Sequence, residues 1–407
     1  MENLKSVDWR TPTMVLWVGG IILAISFGVR HTFGIFLQPM SLDNNWGREV
    51  FALSLAVQNI VWGIAQPFAG RIADRRGAGW VIVLGTLIYA AGLYLMSSAQ
   101  TSMALIWSAG ILIGIGLAGT TAPVVFGVIS RSVPVEKRSM ALGLSMSIGS
   151  FGQFAMLPAT MQLINYFNWS TTLYILTAIT VIMIPLAFFM MEKPQPKDDP
   201  NAPKPLALAE ILKQAMGHHG FRLLTIGFFV CGFHIAFLAT HLPAYLSDQG
   251  LNPSVGTNVL ALIGLFNIAG SYYFGLWGGK FPKPHLLSLI YTGRALAIAA
   301  FIFLPISAVS AYIFAAVIGV LWLSTVPLTN GIVGSIFGVK NMSMLGGIVF
   351  FSHQIGAFLG VWLGGKLFDL FGSYDIVWTI SIVISLMAAV INFPIKESAY
   401  QARPVSA

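Results

Sequence analysis

Charge is scarce in this chain. Of its 407 residues only 9% are Asp, Glu, Lys or Arg, while 56% are hydrophobic and the mean hydropathy is +0.80. Soluble domains carry roughly 25% charged residues. A chain this poor in charge cannot cover a water-exposed surface, so its apolar residues are expected to face lipid. Cysteine is almost absent. Cys231 is the single copy and sits inside an apolar run, which leaves no intramolecular disulfide to form. No G-x-x-x-x-G-K-[ST] loop occurs, so the chain holds no ATP-driven engine. No His/Cys cluster suggests a metal. Acidic residues are missing from the middle of every long apolar run, which removes the orienting acid of a catalytic triad. Neither an enzyme, a cofactor nor a bound metal is expected.

What is present is a series of apolar runs, each near the roughly 20 residues that a membrane crossing needs. They fall at 13–37, 50–70, 79–98, 103–128, 139–163, 170–191, 221–247, 256–278, 284–305, 309–335, 344–366 and 374–394. The first is too long for a signal-peptide core and lacks a small-residue cleavage site, so it reads as a retained helix. The expected fold class is an all-α membrane protein of twelve transmembrane helices. An even number of crossings puts both termini on one side. Of the 22 Lys and Arg, all but Arg30, Arg48, Arg294 and Lys366 fall on that side, the excess that marks the cytoplasm. This distribution accounts for the net charge of +8 and the pI near 9.6 without a nucleic-acid partner. The stretch 192–220 opens with EKPQPKDDPNAPKP, a solvated linker in composition. It divides the chain into an N-terminal six-helix bundle, 1–191, and a C-terminal one, 221–407.

The halves also match each other. At an offset of 204, Gly28 falls on Gly232, Pro39 on Pro243, Thr121 on Thr325, Pro123 on Pro327, Ser139 on Ser343 and Gly143 on Gly347. Such repeats build pseudo-symmetric bundles and place a transporter's substrate at their interface, near the bilayer midplane.

The segment GRIADRRG, 70–77, resembles the G-x-x-x-D-R-x-G loop motif of the major facilitator superfamily. The resemblance covers about 13–394. It implies the two-bundle major facilitator fold, transport by alternating access, and a gating role for Gly70, Asp74, Arg75 and Gly77. The equivalent stretch of the second half, starting at Gly275, keeps a glycine and Lys280 but lacks the acid. Within the superfamily the first two helices are similar to the monocarboxylate and oxalate/formate branch, through GVRHTFGIFLQP (28–39), Arg48-Glu49 and Gln58-Asn59. That branch places a basic residue in the outer half of helix 1, where Arg30 or His31 stands here. It also holds an Asp and an Arg on helix 8, where this chain has Asn267 and Ser271.

Read from the residues alone, the permanent charges inside spans are Arg30 and Arg294, both positive. Charge in lipid is costly and usually functional. With no acid at that depth, a substrate carboxylate is a natural counter-ion for a guanidinium. Arg30 alternatively snorkels or pairs with Asp43 or Asp248, and Arg294 alternatively bonds backbone carbonyls or buttresses helix 8 or 10. His31, His234, His241 and His353 are candidates for proton uptake or for neutral hydrogen bonds between helices. Gln58, Trp62 and Gln66 share one helical face, which lines a cavity or glues helices together. Asn59, Asn267 and the pair His353-Gln354 complete the candidate substrate-binding set. Phe33, Phe36, Trp322 and Phe351 are candidates for an apolar wall.

The expected function is therefore secondary transport of a small organic anion, a carboxylate, by proton symport or anion exchange. A hydrophobic or siderophore-like efflux substrate and a non-transporting membrane sensor are the alternatives. The protein is expected to act as a monomer in a bacterial inner membrane, with the bilayer and possible coupling protons as its other partners.

Overall fold

The computed structural model describes residues 10–46, 48–192 and 208–398. Among the described residues twelve long helices run along the molecule. They are α1 Pro12–Phe36, α2 Arg48–Arg76, α3 Ala78–Met96, α4 Ser102–Ser132, α5 Val135–Tyr166, α6 Trp169–Phe189, α7 His219–Asp248, α8 Ser254–Trp277, α9 Lys283–Phe303, α10 Ala308–Phe337, α11 Met342–Phe368 and α12 Asp375–Asn392. Eleven are long and apolar enough to cross a membrane by length and composition. The twelfth, α2, carries Arg48 and Glu49 at its start, Gln58, Asn59 and Gln66 along its length, and Asp74, Arg75 and Arg76 at its end. No strand occurs among the described residues. Of the expected linker 192–220, residues 193–207 lie outside the described residues, while Leu208–Gly217 is a short helix and α7 begins at His219; residues 1–9 and 399–407 and the side chains of Arg48 and Glu49 are likewise outside.

Local chemistry sets the helix ends. Thr11 Oγ1 accepts from the Met14 N–H ahead of Pro12, and Asn168 Oδ1 accepts from the Thr171 N–H at the start of α6, both N-cap bonds. Ser307 and Ser310 form a reciprocal capping box at α10. The expected loop at 71–78 is instead mostly helix. Residues 71–76 are the last turns of α2, and Gly77 alone turns the chain into α3, at φ +89°. A side chain there would be strained.

Four helices are interrupted, α6 among them at Ile182. α1 breaks at Thr32 and resumes as Phe33–Asn44. α4 contains a π-helical segment, Ile106–Leu112, and then breaks at Thr121 before Ala122–Ser132. α10 breaks between Leu321 and Thr325. The breaks in α4 and α10 fall at matching places in the two halves, at Thr121 and over residues 322–324, just before Thr325.

Helices α1 to α6 form one bundle and α7 to α12 the other. The bundles meet chiefly where α2 crosses α11 and where α5 crosses α8. Both crossings are made on glycine. A Cβ on Gly70 would collide with the Ser343 carbonyl, and one on Gly143 would press on the Gly275 backbone. Small residues let the backbones approach this closely. Arg10 bonds the Phe189 carbonyl at 3.4 Å and Lys283 pairs with Glu397 at 3.3 Å. Both described chain termini thus lie at one end of the molecule, the end that holds Asp74.

Candidate functional site

Arg30 and His31 occupy the last turn of the first α1 segment, just before the break at Thr32. Unsatisfied carbonyls at a helix C-terminus favour a cation. His31 Nδ1 lies 2.8 Å from the Phe27 carbonyl, so this ring is tied to its own helix. Arg30 reaches across to α2, where its Nη2 donates to Asn59 Oδ1 at 3.2 Å, and its guanidinium stands 5.7 Å from the Phe33 ring centroid. Among the described residues no carboxylate lies within 4.0 Å of Arg30, and its buried Nε has no hydrogen-bond partner. Asp43, a candidate partner, instead accepts from Trp169 Nε1 at 2.6 Å.

One turn nearer the Asp74 end, α2 meets α11. The ring of Trp62 lies 4.8 Å from that of Phe350, a contact between the two bundles. Phe350 stacks on His353 at 5.1 Å, and His353 also faces Phe228 of α7 at 5.0 Å. His353 Nδ1 lies 3.1 Å from Gln354 Oε1, and Gln354 Nε2 is buried without a partner. A Cβ on Gly63 would touch Phe351 and Gln354. The structure therefore places Arg30 and Asn59 next to an aromatic layer made by Trp62, Phe350 and His353. Arg30 and Gln354 offer buried, unpaired N–H donors from opposite bundles.

The other sequence candidates are engaged elsewhere. Gln58 Nε2 donates to the Ala109 carbonyl in the π-helical part of α4, and Gln66 Nε2 to the Ala118 carbonyl at 2.9 Å. Trp62 Nε1 and Thr121 Oγ1 both donate to Gln66 Oε1, at 2.9 and 3.1 Å. The polar stripe of α2 is thus a clamp on the interrupted α4. His234 Nε2 lies 2.9 Å from the Ser381 carbonyl of α12. Asn267 ties three helices together: its Nδ2 donates to Ser150 Oγ of α5, and its Oδ1 accepts from the Leu323 N–H freed by the break in α10. Arg294 is 1% exposed and donates to the carbonyls of Leu321, at 2.7 Å, and Trp322. It caps the broken α10. Phe33, Phe36 and Trp322 are buried, while Phe351 lines a lateral cleft with Arg71.

The motif residues form an inter-bundle latch. Asp74 accepts from the N–H groups of Ser343 and Met344, at 3.3 and 2.9 Å, at the N-terminus of α11, where helix polarity favours an anion. Arg131, at the end of α4, bonds Asp74 at 2.8 Å and Glu192 at 2.7 Å, and reaches the Val339 carbonyl at 3.4 Å. Gly70 permits the close crossing, Gly77 makes the turn, and Arg75 is exposed. Between described residues, every hydrogen bond joining the bundles lies either in this region or halfway along α5 and α8, where Ser147 and Asn267 make them. This is a molecule shut at the Asp74 end.

Sequence reasoning missed Arg131, Glu192, Thr121 and Phe350. Thr121 carried a signal, since it recurs as Thr325. The others carried none, because their roles arise only when separate helices meet.

Residues 16–361 match the family model described as Major Facilitator Superfamily. The chain is 25% identical over 380 residues to an uncharacterized MFS-type transporter, YcxA, of Bacillus subtilis (strain 168), covering 89% of this chain and 90% of that one. It is 25% identical over 371 residues to monocarboxylate transporter 11 of Homo sapiens, covering 87% and 76%. To monocarboxylate transporter 13 of Rattus norvegicus it is 24% identical over 373 residues, covering 86% and 81%. Among solved structures, the E. coli fucose:proton symporter superposes with a TM-score of 0.71 at 14% identity, over 94% of this chain and 97% of that one. At that identity the likeness is one of fold.

Proposed function

The chain belongs to the Major Facilitator Superfamily, and on that premise we propose that it carries a small organic anion, a carboxylate, by alternating access, as proton symport or anion exchange. The observation that carries this reading is Arg30. Arg30 is half-buried, with one Nη2 bond to Asn59, a buried Nε without a partner and, among the described residues, no carboxylate within 4.0 Å. A carboxylate supplies the missing charge and accepts two parallel N–H bonds. Gln354 Nε2 stands ready as a donor from the second bundle. The names of the monocarboxylate-transporter relatives support the same class of cargo.

In this reading the substrate enters from the end opposite Asp74 and settles against the Trp62–Phe350 layer. The bundles 1–191 and 221–407 then rock about the site. The Asp74 latch opens while the far end closes. The excess of positive residues toward the Asp74 end supports a cytoplasmic side for that end and both termini, in a bacterial inner membrane. His31 and His353, next to Arg30 and Gln354, are the proposed proton carriers if the cycle is proton-coupled.

The test is thermal stabilisation of the purified protein by a panel of mono- and dicarboxylates, at about pH 5.5 and about pH 7.5, either side of the histidine range. One carboxylate class should raise the melting temperature of the native chain and leave Arg30→Gln unmoved. Stabilisation only by bulky apolar compounds would replace the cargo with a hydrophobic one.

A further inference from the structure

Beside the latch, between α2 and α11, lies a cleft of about 240 Å³ whose lining is almost wholly apolar. Ile64 and Phe68 form one wall, Ile348 and Phe351 the other, and Leu212 of the short helix Leu208–Gly217 closes the rim. Ile64, Phe68 and Ile72 are each at least half exposed along this side of α2, so the cleft opens laterally, toward lipid. Its one charged lining residue is Arg71.

Among the described residues Arg71 has no counter-ion. Its Nη1 makes a weak contact of 3.7 Å with Met344 Sδ, and among the described residues no carboxylate lies within 4.0 Å of it. The nearest acid along its helix, Asp74, is taken up by Arg131, Ser343 and Met344. A partly buried cation at the mouth of an apolar slot, at the end of a membrane-crossing helix, calls for a ligand with an anionic head and a hydrocarbon tail. A guanidinium binds phosphate through paired N–H bonds, and hydrocarbon in an apolar cleft is held by the area it withdraws from solvent. Leu208–Gly217 buries Ile211 and Ala215 and exposes Lys213 and Met216, the pattern of a helix lying in the interface with a further basic residue at headgroup depth.

We infer that the α2–α11 cleft binds one anionic phospholipid, an acyl chain between Ile64, Phe68, Ile348 and Phe351 and the phosphate on Arg71. The inference is independent of the cargo. The walls come from both bundles, and Met344 takes part in both the cleft and the latch. Parting the bundles at the Asp74 end pulls the walls apart, so the lipid binds the shut form and weights the equilibrium toward it.

Native mass spectrometry of the full chain in detergent, titrated with phosphatidylglycerol and with phosphatidylcholine of the same acyl chains, tests this. One phosphatidylglycerol should bind about tenfold more tightly than phosphatidylcholine. Arg71→Gln should erase that margin, the loss expected for a charge-assisted bond, while Arg76→Gln keeps it. Ile348→Trp, which fills the cleft and leaves Arg71 in place, should do the same and covers a failure of Arg71→Gln to fold. Equal binding of the two lipids, or an Arg71→Gln protein that keeps its preference, overturns the proposal. So does displacement of phosphatidylglycerol by inorganic phosphate alone, since that places a free anion at Arg71.

Discussion

The carbonyls of Ala118 and Trp322 stand 204 residues apart in the chain, and each is capped by a side chain from another helix: Gln66 Nε2 donates to the first and Arg294 Nη2 to the second. The two bundles thus meet the same need with different chemistry. Each break frees backbone carbonyls inside the membrane, where an unsatisfied polar group is costly. The first bundle answers with a neutral amide held by Thr121 and Trp62. The second answers with a permanent charge.

For Arg294 this predicts a structural phenotype. Arg294→Met should lower the melting temperature, since the Leu321 and Trp322 carbonyls lose charge-assisted donors worth about 1.5–3 kcal/mol each. Arg294→Lys should recover part of the loss, because one ammonium lacks the planar fork. The carboxylate-induced shift in melting temperature should persist in both. Its disappearance alongside normal stability would move Arg294 into the substrate site.

Gln66→Leu should destabilise in the same manner by about 1–3 kcal/mol, because the Ala118 carbonyl, Trp62 Nε1 and Thr121 Oγ1 all lose a partner. Thermal unfolding of the purified variant measures it. A stability equal to that of the native chain would mean that α4 is held at its break by other means.

Arg30 should behave in the opposite way. Arg30→Gln is expected to leave folding close to normal and to weaken carboxylate binding by about tenfold to a hundredfold, the range of a charge-assisted hydrogen bond or a pair of them. Arg30→Lys should fall between, keeping charge and losing the fork. Flux of labelled carboxylate into proteoliposomes reads both, and undiminished flux in Arg30→Gln would remove the arginine from the cargo site.

Asp74→Asn should loosen the shut end. Neutralising the carboxylate weakens its bonds to Ser343 and Met344 and leaves Arg131 with Glu192 and the Val339 carbonyl. A cysteine introduced in place of Val339, in a Cys231→Ser background, should react with a water-soluble maleimide several-fold faster in Asp74→Asn than in its parent. Equal rates would show that the glycine crossings hold this end without the latch.

The helices were legible because run length is a property of the chain itself, and eleven of the twelve expected spans recur as helices long and apolar enough to cross a membrane. The polar stripe of α2 was equally plain, yet its purpose was not. Whether Gln58 and Gln66 face a cavity or another helix depends on where α4 lets go of its own carbonyls. Residues 103–128 read as one continuous apolar run, with the Thr121 and Pro123 repeat as the only hint of a break. Arg294 could be placed mid-span, but its partners are main-chain atoms, which residue types do not advertise. Asp74 was found through its motif. Its bonds join residues that lie far apart in the chain, so only the packed bundles reveal them.

The latch has no twin. Gly70 corresponds to Gly275 at the α5–α8 crossing, and four residues on, where Asp74 would be matched, stands Gly279. A door bolted on one side only has a preferred resting position. On the proposed alternating cycle the form fastened at the Asp74 end is the favoured one, so the two directions of travel begin from unequal stations. Gly279 stands at the same end as Asp74, four residues before Lys283, so an acid placed there, facing the start of α5, would fasten that end further and widen the difference between the two directions.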